Sequence, residues 1–460
     1  MITPLFSAAS KKPLYEQLYV SIVRDIETGA LGRGARLPSK RKLAVHANIS
    51  QSTVENAYAQ LKAEGYIESR PKRGYFVARL TPAAQPAQTR REPTPPAPPD
   101  APLCRFDLRT NAVDAELFPF SIWNRLLRGC QQDDRTSLLA PIHPQGNADL
   151  REEIVRYLRA FRGLEARADQ VVLGAGMEYL LGLLLELMPD APVAFENPGY
   201  PQAARILTAR RRPMFPIPLD GEGLCAGALA DTDASVALVT PSHHFPLGIT
   251  MSIGRRRQLL QWTAGRADRY LIEDDFDGEF RFVLRPIPTL YSLDGGGRVI
   301  YMNSFARTLS PSLRIAYMVL PETLLLRYRE MLSFYSCTVS EFEQRIIRSF
   351  FQGGHYERHL NRMRLVYKKK RDALLEGLSP LGSALSIDGP NAGLHLLLRV
   401  RGLNEAALVA RAAARDVRVY PLSHYHWGPP PPSHTVVAGY AGHTADTLRQ
   451  AARRLVEAWG

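Results

Sequence analysis

Residues 82–102 read PAAQPAQTRREPTPPAPPDAP and contain eight prolines. Proline has no backbone N–H to give to a helix or a central strand. The segment also carries almost no bulky apolar side chains, so it cannot bury enough surface to fold. It is expected to form an extended, polyproline-like tether. The rest of the chain must therefore fold as separate pieces, which the spacing places at 1–80 and 105–460 with a linker over 81–104. The length of 460 residues independently points to two or three domains.

The first piece is basic. It holds 13 Lys and Arg against 6 Asp and Glu, more than half of the chain's net charge of +13, which suggests a polyanion partner. In PLYEQLYVSIVRDIETG the residues Leu14, Leu18, Ile22 and Ile26 make one apolar helix stripe that Gly29 can end. A second short helix opens at Ser39. A third runs from ISQSTVENAY, where Ser52 and Glu55 match a capping box and Val54, Ala57, Tyr58 and Leu61 form the buried face. YIESRPKRGYFVA reads as two strands around a tight turn at Pro71 to Gly74. Three helices followed by a basic hairpin predict a winged helix-turn-helix. In that fold the start of the second motif helix enters the major groove, which places Ser50, Gln51, Ser52 and Thr53 at base edges. Lys40, Arg41, Arg70, Lys72, Arg73 and Gly74 complete the expected DNA-binding face, with the cations along the phosphates.

The second piece alternates short β-rich runs (APVAFENPGY, ASVALVTPS, RYLIEDDF, RVIYMNSF) with helical stretches, the pattern of parallel crossovers in an α/β sheet. Ligands of such sheets gather beyond the strand ends. The last hundred or so residues, from about 360 to 460, return to helix and short strand, enough for a small α+β subdomain. No apolar run reaches the roughly 18 residues of a membrane span, and the N-terminus lacks the apolar core of a secretion signal. Cys104, Cys130, Cys225 and Cys337 are scattered, without a CxxC. His424, His426 and His434 lie in a proline-rich stretch without a nearby carboxylate, so no metal site is assigned. His243 and His244 are expected to shape a loop beside a pocket. A reducing cytoplasm is the expected location, with no membrane partner.

LPSKRKLAVHANISQSTVENAYAQLKAEGYIESRPKRGYFV resembles the winged-helix domain of GntR-type bacterial transcription regulators over about residues 13–78. The chain departs from the arginine common in that family at Gln51, and glutamine prefers adenine where arginine prefers guanine. From about Phe106 onward the chain resembles a fold-type I aminotransferase. The resemblance rests on GAGMEYLLGLL, ENPGYP, TPSHHFPLGITM, IEDDFDGEFRF and NSFARTLSPSLRIAYMVLP among others. The whole is similar to the MocR-like branch of GntR regulators. The implied fold is multidomain: an N-terminal winged helix-turn-helix, then an α/β fold-type I aminotransferase-like domain with a small C-terminal α+β subdomain.

That resemblance implies a pyridoxal 5'-phosphate pocket. Asp274 matches the carboxylate that pairs with the pyridine nitrogen, and Tyr200 matches an aromatic beside the ring. Ser304 and Arg314 match phosphate ligands, and the Gly176, Met177, Glu178 turn matches a loop at a helix start that meets the same phosphate. Phe276 stands where a tyrosine usually contacts the ring, and Val437 roughly where an arginine grips the substrate carboxylate. Arg307 stands where the family's lysine bonds covalently to the cofactor. A guanidinium stays protonated at any useful pH and cannot take that part. None of the nine lysines lies between Lys72 and Lys368, and Lys368, Lys369 and Lys370 read as a solvated helix face.

Two readings of Arg307 stand. In one, the pocket has decayed and the cation pairs with a neighbour such as Asp274. In the other, Arg307 and Arg314 form a two-cation site for an anionic effector, whether pyridoxal phosphate held without a bond or another phosphate or carboxylate. The expected function is a homodimeric, operator-binding transcription regulator that is not an enzyme. The alternatives are a pyridoxal-phosphate aminotransferase with a DNA-binding head, or a ligand-free dimerisation scaffold.

Overall fold

The computed structural model describes residues 12–79, 104–130, 132, 135–282, 287–389 and 392–460. The chain divides into two compact units, with described residues 12–79 in one and those from 104 onward in the other. Apart from Cys104, the expected linker at 81–104 lies outside the described residues, as do the first eleven positions.

In the first unit three helices, Leu14–Glu27, Lys40–Ala47 and Gln51–Ala63, precede an antiparallel pair, Ile67–Arg70 with Gly74–Val77. Leu18, Ile22, Leu43, Val54, Tyr58 and Leu61 are fully buried. At roughly 2 kcal/mol for each large aliphatic side chain removed from water, this interior is what holds short helices in place. Leu14 is 45% exposed, so the first helix's buried stripe starts one turn later than its spacing suggests. The Ser39 hydroxyl accepts from the Lys42 N–H and opens the second helix. The expected capping box at Ser52 and Glu55 does not form. Ser50 has the extended backbone of a cap and accepts from the Thr53 N–H at 3.1 Å, while Glu55 turns to Lys40 at 3.3 Å. In the hairpin, Lys72 at φ +56° and Gly74 at φ +102° make the turn, which favours glycine at the second of these.

The second unit is built on an eight-stranded sheet. Its order is Val171–Gly174, Ala316–Val319, Val299–Ser304, Tyr270–Asp274, Val236–Val239, Val193–Asn197, Met214–Asp220 and Gly223–Leu224. The four runs recognised in the sequence are adjacent and parallel. Ala316–Val319 runs antiparallel to both neighbours, so Val171–Gly174 again points the same way as the central strands. All these strands therefore release their chain at one edge: Gly174, Asn197, Val239, Asp274 and Ser304 end there, and Ala316 begins there.

The C-terminal part holds a four-stranded antiparallel sheet, Leu385–Asp388, His395–Val400, Thr435–Gly439 and Tyr420–Pro421. The helices His355–Leu378, Glu405–Ala413 and Ala445–Trp459 belong to the same part. Phe106–Asp107 pairs in parallel with Val417–Arg418, and Phe106 and Leu108 sit in the C-terminal core. The segment at about 104–108 thus joins residues three hundred positions away, which no local pattern announces. Lys368 and Lys369 are exposed as expected, but Lys370 is buried. One turn on from Tyr367, it reaches Asp114 and the Ala441 carbonyl, each at 2.8 Å. No helix among the described residues is long and apolar enough to cross a membrane.

Candidate effector cavity and DNA-binding face

The shared edge of the parallel strands opens on a cavity of about 500 Å³. All nine residues assigned to it from the sequence line it: Gly176, Met177, Glu178, Tyr200, Asp274, Phe276, Ser304, Arg307 and Arg314. The strand directions account for this, because each of these residues ends a strand or lies in the few residues beyond or before one.

At one wall, Gly176 has φ +98° and begins the helix Met177–Leu187; a Cβ there would fall 2.3 Å from the Arg314 guanidinium. Arg314 donates to Glu178 at 2.6 Å and to the Ala175 carbonyl at 3.2 Å, and the Tyr200 hydroxyl donates to Glu178 at 2.9 Å. Burial pushes the Glu178 carboxyl up, but Arg314, its own N–H and Tyr200 outweigh that and hold it below the usual range. Arg314 therefore already has an anionic partner and is not a free cation beside Arg307.

Asp274 presents a buried Oδ1 with no hydrogen-bond partner among the described residues. Burial, then the nearby Asp275, Asp277 and Glu196, push its carboxyl up to about 8, while Arg307 pulls the other way. Arg307 does not pair with it. Its Nη1 donates to the Thr110 carbonyl, and its guanidinium carbon lies 5.7 Å from the centre of the Phe276 ring, within cation–π reach. Burial pulls the Arg307 pKa down, against the attraction of Asp277 first and of Tyr200, Tyr367 and Asp274 after it.

Several lining residues escaped the sequence reading. Arg109, Thr110 and Asn111 follow the Phe106–Asp107 strand, and Arg418 lies on its partner, so both depend on that long-range pairing. Arg109 is bound to Asp107, whereas Arg418 makes no ion pair among the described residues and stacks over Tyr420 at 5.3 Å. Val437 is not part of the lining: it is fully buried in the small sheet opposite Leu397. His243 and His244 sit behind the cavity wall, fully buried. His243 meets Asp277 at 2.9 Å, and burial draws His244 down to about 3.

On the first unit, Arg41, Gln51, Ser52, Arg70, Lys72, Arg73 and Gly74 are exposed, and Lys40 and Thr53 are half-buried. Arg41, Lys72 and Arg73 make no ion pair among the described residues, so their charge is free for phosphates. Arg70 is tied to Glu68 at 2.5 Å and stacks on Phe76, and Lys40 is tied to Glu55.

Comparison with known proteins places both units. Residues 14–77 match the gntR family of bacterial regulatory proteins, and residues 114–455 match the class I and II aminotransferases. The chain is 40% identical to the uncharacterised HTH-type transcriptional regulator YdeL of Bacillus subtilis (strain 168), over 100% of this chain and 99% of that one. It is 32% identical to the "Probable rhizopine catabolism regulatory protein MocR" of Rhizobium meliloti, over 97% and 94%. It is 31% identical to PdxR, an HTH-type pyridoxine biosynthesis transcriptional regulator of Corynebacterium glutamicum, over 94% and 93%. Among solved structures, the multiple substrate aminotransferase of Thermococcus profundus superposes with a TM-score of 0.68 at 22% identity, over 78% of this chain and 92% of that one.

Proposed function

Because this chain belongs to the GntR family of bacterial regulatory proteins, in the MocR-like group that joins the winged helix to an aminotransferase class I and II domain, we propose that its large domain senses a small anionic effector without covalent pyridoxal-phosphate chemistry. The observation that carries this reading is Arg307. Its guanidinium lines the cavity without a carboxylate partner among the described residues, and the resemblance to the aminotransferases implies a bonding lysine at this position. An arginine there cannot attack an aldehyde but suits a carboxylate or phosphate, which it can hold by two parallel hydrogen bonds.

Pyridoxal phosphate fits part of this cavity. The oxygen of Asp274 that has no partner among the described residues suits a ring N–H, and the helix start at Gly176 suits a phosphate, which would have to draw Arg314 from Glu178. Bound there, the cofactor would supply an electron-withdrawing pyridine ring. No lysine among the described residues lines the cavity, and the buried Lys370 is committed to Asp114. The chain's own residues would therefore bind and orient such a ligand. Asp274 would become ionised when a cationic nitrogen faces it, Phe276 would shield one wall, and Arg307 would meet the anionic end.

The protein acts, on this reading, as a cytoplasmic homodimer on a two-part operator, since paired winged helices read paired half-sites. Effector binding alters transcription only by favouring one arrangement of the heads over another. The test is a titration with pyridoxal 5'-phosphate followed by absorbance and calorimetry, beside Arg307→Lys. Heat without a covalent absorbance band in the wild type, and a band in the variant, is the expected result. A covalent band in the wild type sinks the proposal. Silence toward the vitamer and toward a panel of small carboxylates and phosphates leaves a ligand-free scaffold.

A further inference from the structure

The tip of the third helix carries an arrangement that the charge of the basic face does not explain. Three of the four side chains expected at base edges are tied to one another: the Ser50 hydroxyl lies 2.8 Å from that of Ser52 and 2.7 Å from that of Thr53, and also caps the Thr53 N–H. Gln51, exposed at the helix start, is tied differently. Its Nε2 donates to Glu55 Oε1 at 3.3 Å, and Glu55 is also held by Lys40 at 3.3 Å. The hydrogen bond from Gln51 and then the Lys40 ammonium keep the Glu55 carboxyl below its ordinary range, so it is a charged acceptor.

A carboxylate only accepts, which decides how the Gln51 amide is turned. One N–H faces Glu55, leaving the second N–H and the carbonyl oxygen for a partner. A donor beside an acceptor complements adenine in the major groove, where N7 accepts and the N6 amino group donates. Guanine presents two acceptors, O6 and N7. The Gln51 carbonyl would then face O6, with the Glu55 charge behind it adding repulsion.

We infer that Gln51, oriented by Glu55, makes this winged helix select adenine over guanine at one position of each operator half-site. The inference rests on the DNA-binding reading above and adds to it the identity of a base. Lys40 then supports the pair from behind and is not among the free phosphate contacts.

The full chain, with Gln51→Arg, Gln51→Ala and Glu55→Gln variants, is mixed at fixed salt with duplexes randomised over the site, and the bound fraction is sequenced. The wild type should enrich adenine over guanine at one position per half-site by roughly 5- to 100-fold. Gln51→Arg should move that position to guanine, Gln51→Ala should flatten it, and Glu55→Gln should narrow the discrimination between adenine and guanine. A clear motif that none of the variants alters overturns the inference and leaves the DNA-binding reading intact. No motif for any form, with no salt-sensitive binding, overturns both.

Discussion

The two units differ in one use of charge: only the large one buries ion pairs among the described residues. On the winged helix the cations stand in water, singly or in loose pairs such as Lys40 with Glu55, at 32% and 44% side-chain exposure. The large unit has exposed pairs too, such as Arg159 with Glu165 at 63% and 70%, but it also shuts pairs away: Lys370 and Asp114 are 3% and 11% exposed, and Arg162 and Asp275 are 2% and 1% exposed. An exposed pair exchanges one set of solvated partners for another and is worth little. In a buried pair each charge depends on the other, because neither can return to water when its partner is removed. The first arrangement leaves charge available to a polyanion, and the second fixes segments that are distant in sequence.

The largest effect should follow from breaking such a fixture. Lys370→Met keeps most of the side-chain volume but leaves Asp114 buried and unpaired, just past the Arg109 to Asn111 wall of the cavity. Losing one partner of a buried pair costs about 3–5 kcal/mol. Denaturant unfolding of the full chain should show the large unit's transition moving by that amount while the winged helix's transition stays in place. Equal movement of both transitions would mean that the units are energetically coupled.

That same residue marks how far the sequence was legible. Lysines 368 to 370 looked like one solvated face, and two of them are. Lys370 differs because its partner Asp114 is 256 positions away, beyond the reach of any local pattern. The winged helix was legible almost throughout, since its stripes, caps and turn are all set by residues within a few positions. Even there the cap fell on Ser50, not Ser52, because several serines compete within one turn. The cavity was legible wherever a residue follows a strand in the large sheet. It was not where the wall depends on Phe106–Asp107 pairing with Val417–Arg418, so Arg109 and Arg418 were missed and Val437 was given a place it does not occupy.

A pH titration should sharpen the contrast between the units. The Asp274 carboxyl, at about 8 in the fold, sits near 3.9 in an unfolded chain. Between those values the folded protein holds a proton that the unfolded chain has lost. Its contribution to stability is therefore complete below about pH 4 and disappears as pH rises through 8. The buried histidines run the other way. His244 at about 3 and His395 at about 4 disfavour folding only while the unfolded imidazole is charged, and that cost ends above about pH 6.5. Asp274→Asn separates the two effects. From pH 5 to 9 the wild type should lose stability relative to the variant, read as the gap between urea midpoints of the large unit. Parallel midpoints would show that Asp274 ionises normally. The winged helix should be flat over this range, since Glu55 and Glu64 are lowered by their partners and lose their contribution only as pH falls below about 4.5.

The smallest effect is expected at Lys40, and it tests the comparison most directly. Lys40 touches Glu55 at 3.3 Å and stands 5.9 Å from the Tyr75 ring centre, contacts that resemble on paper those of Lys370 with Asp114 and Tyr367. The difference is water. When Lys40→Met removes the ammonium, Glu55 remains solvated and keeps its hydrogen bond from Gln51, so no charge is stranded. The unfolding midpoint of the winged helix should match the wild type within error, and the adenine preference should persist because the acceptor that orients Gln51 is still in place. Because Lys40 is engaged with Glu55 and not with a phosphate, the salt slope of binding should hold as well, and a fall of about one would show that it reaches a phosphate instead. A midpoint that drops as far as Lys370→Met lowers the large unit's would show that exposure does not separate the two pairs, and the contrast between the units would then need another cause.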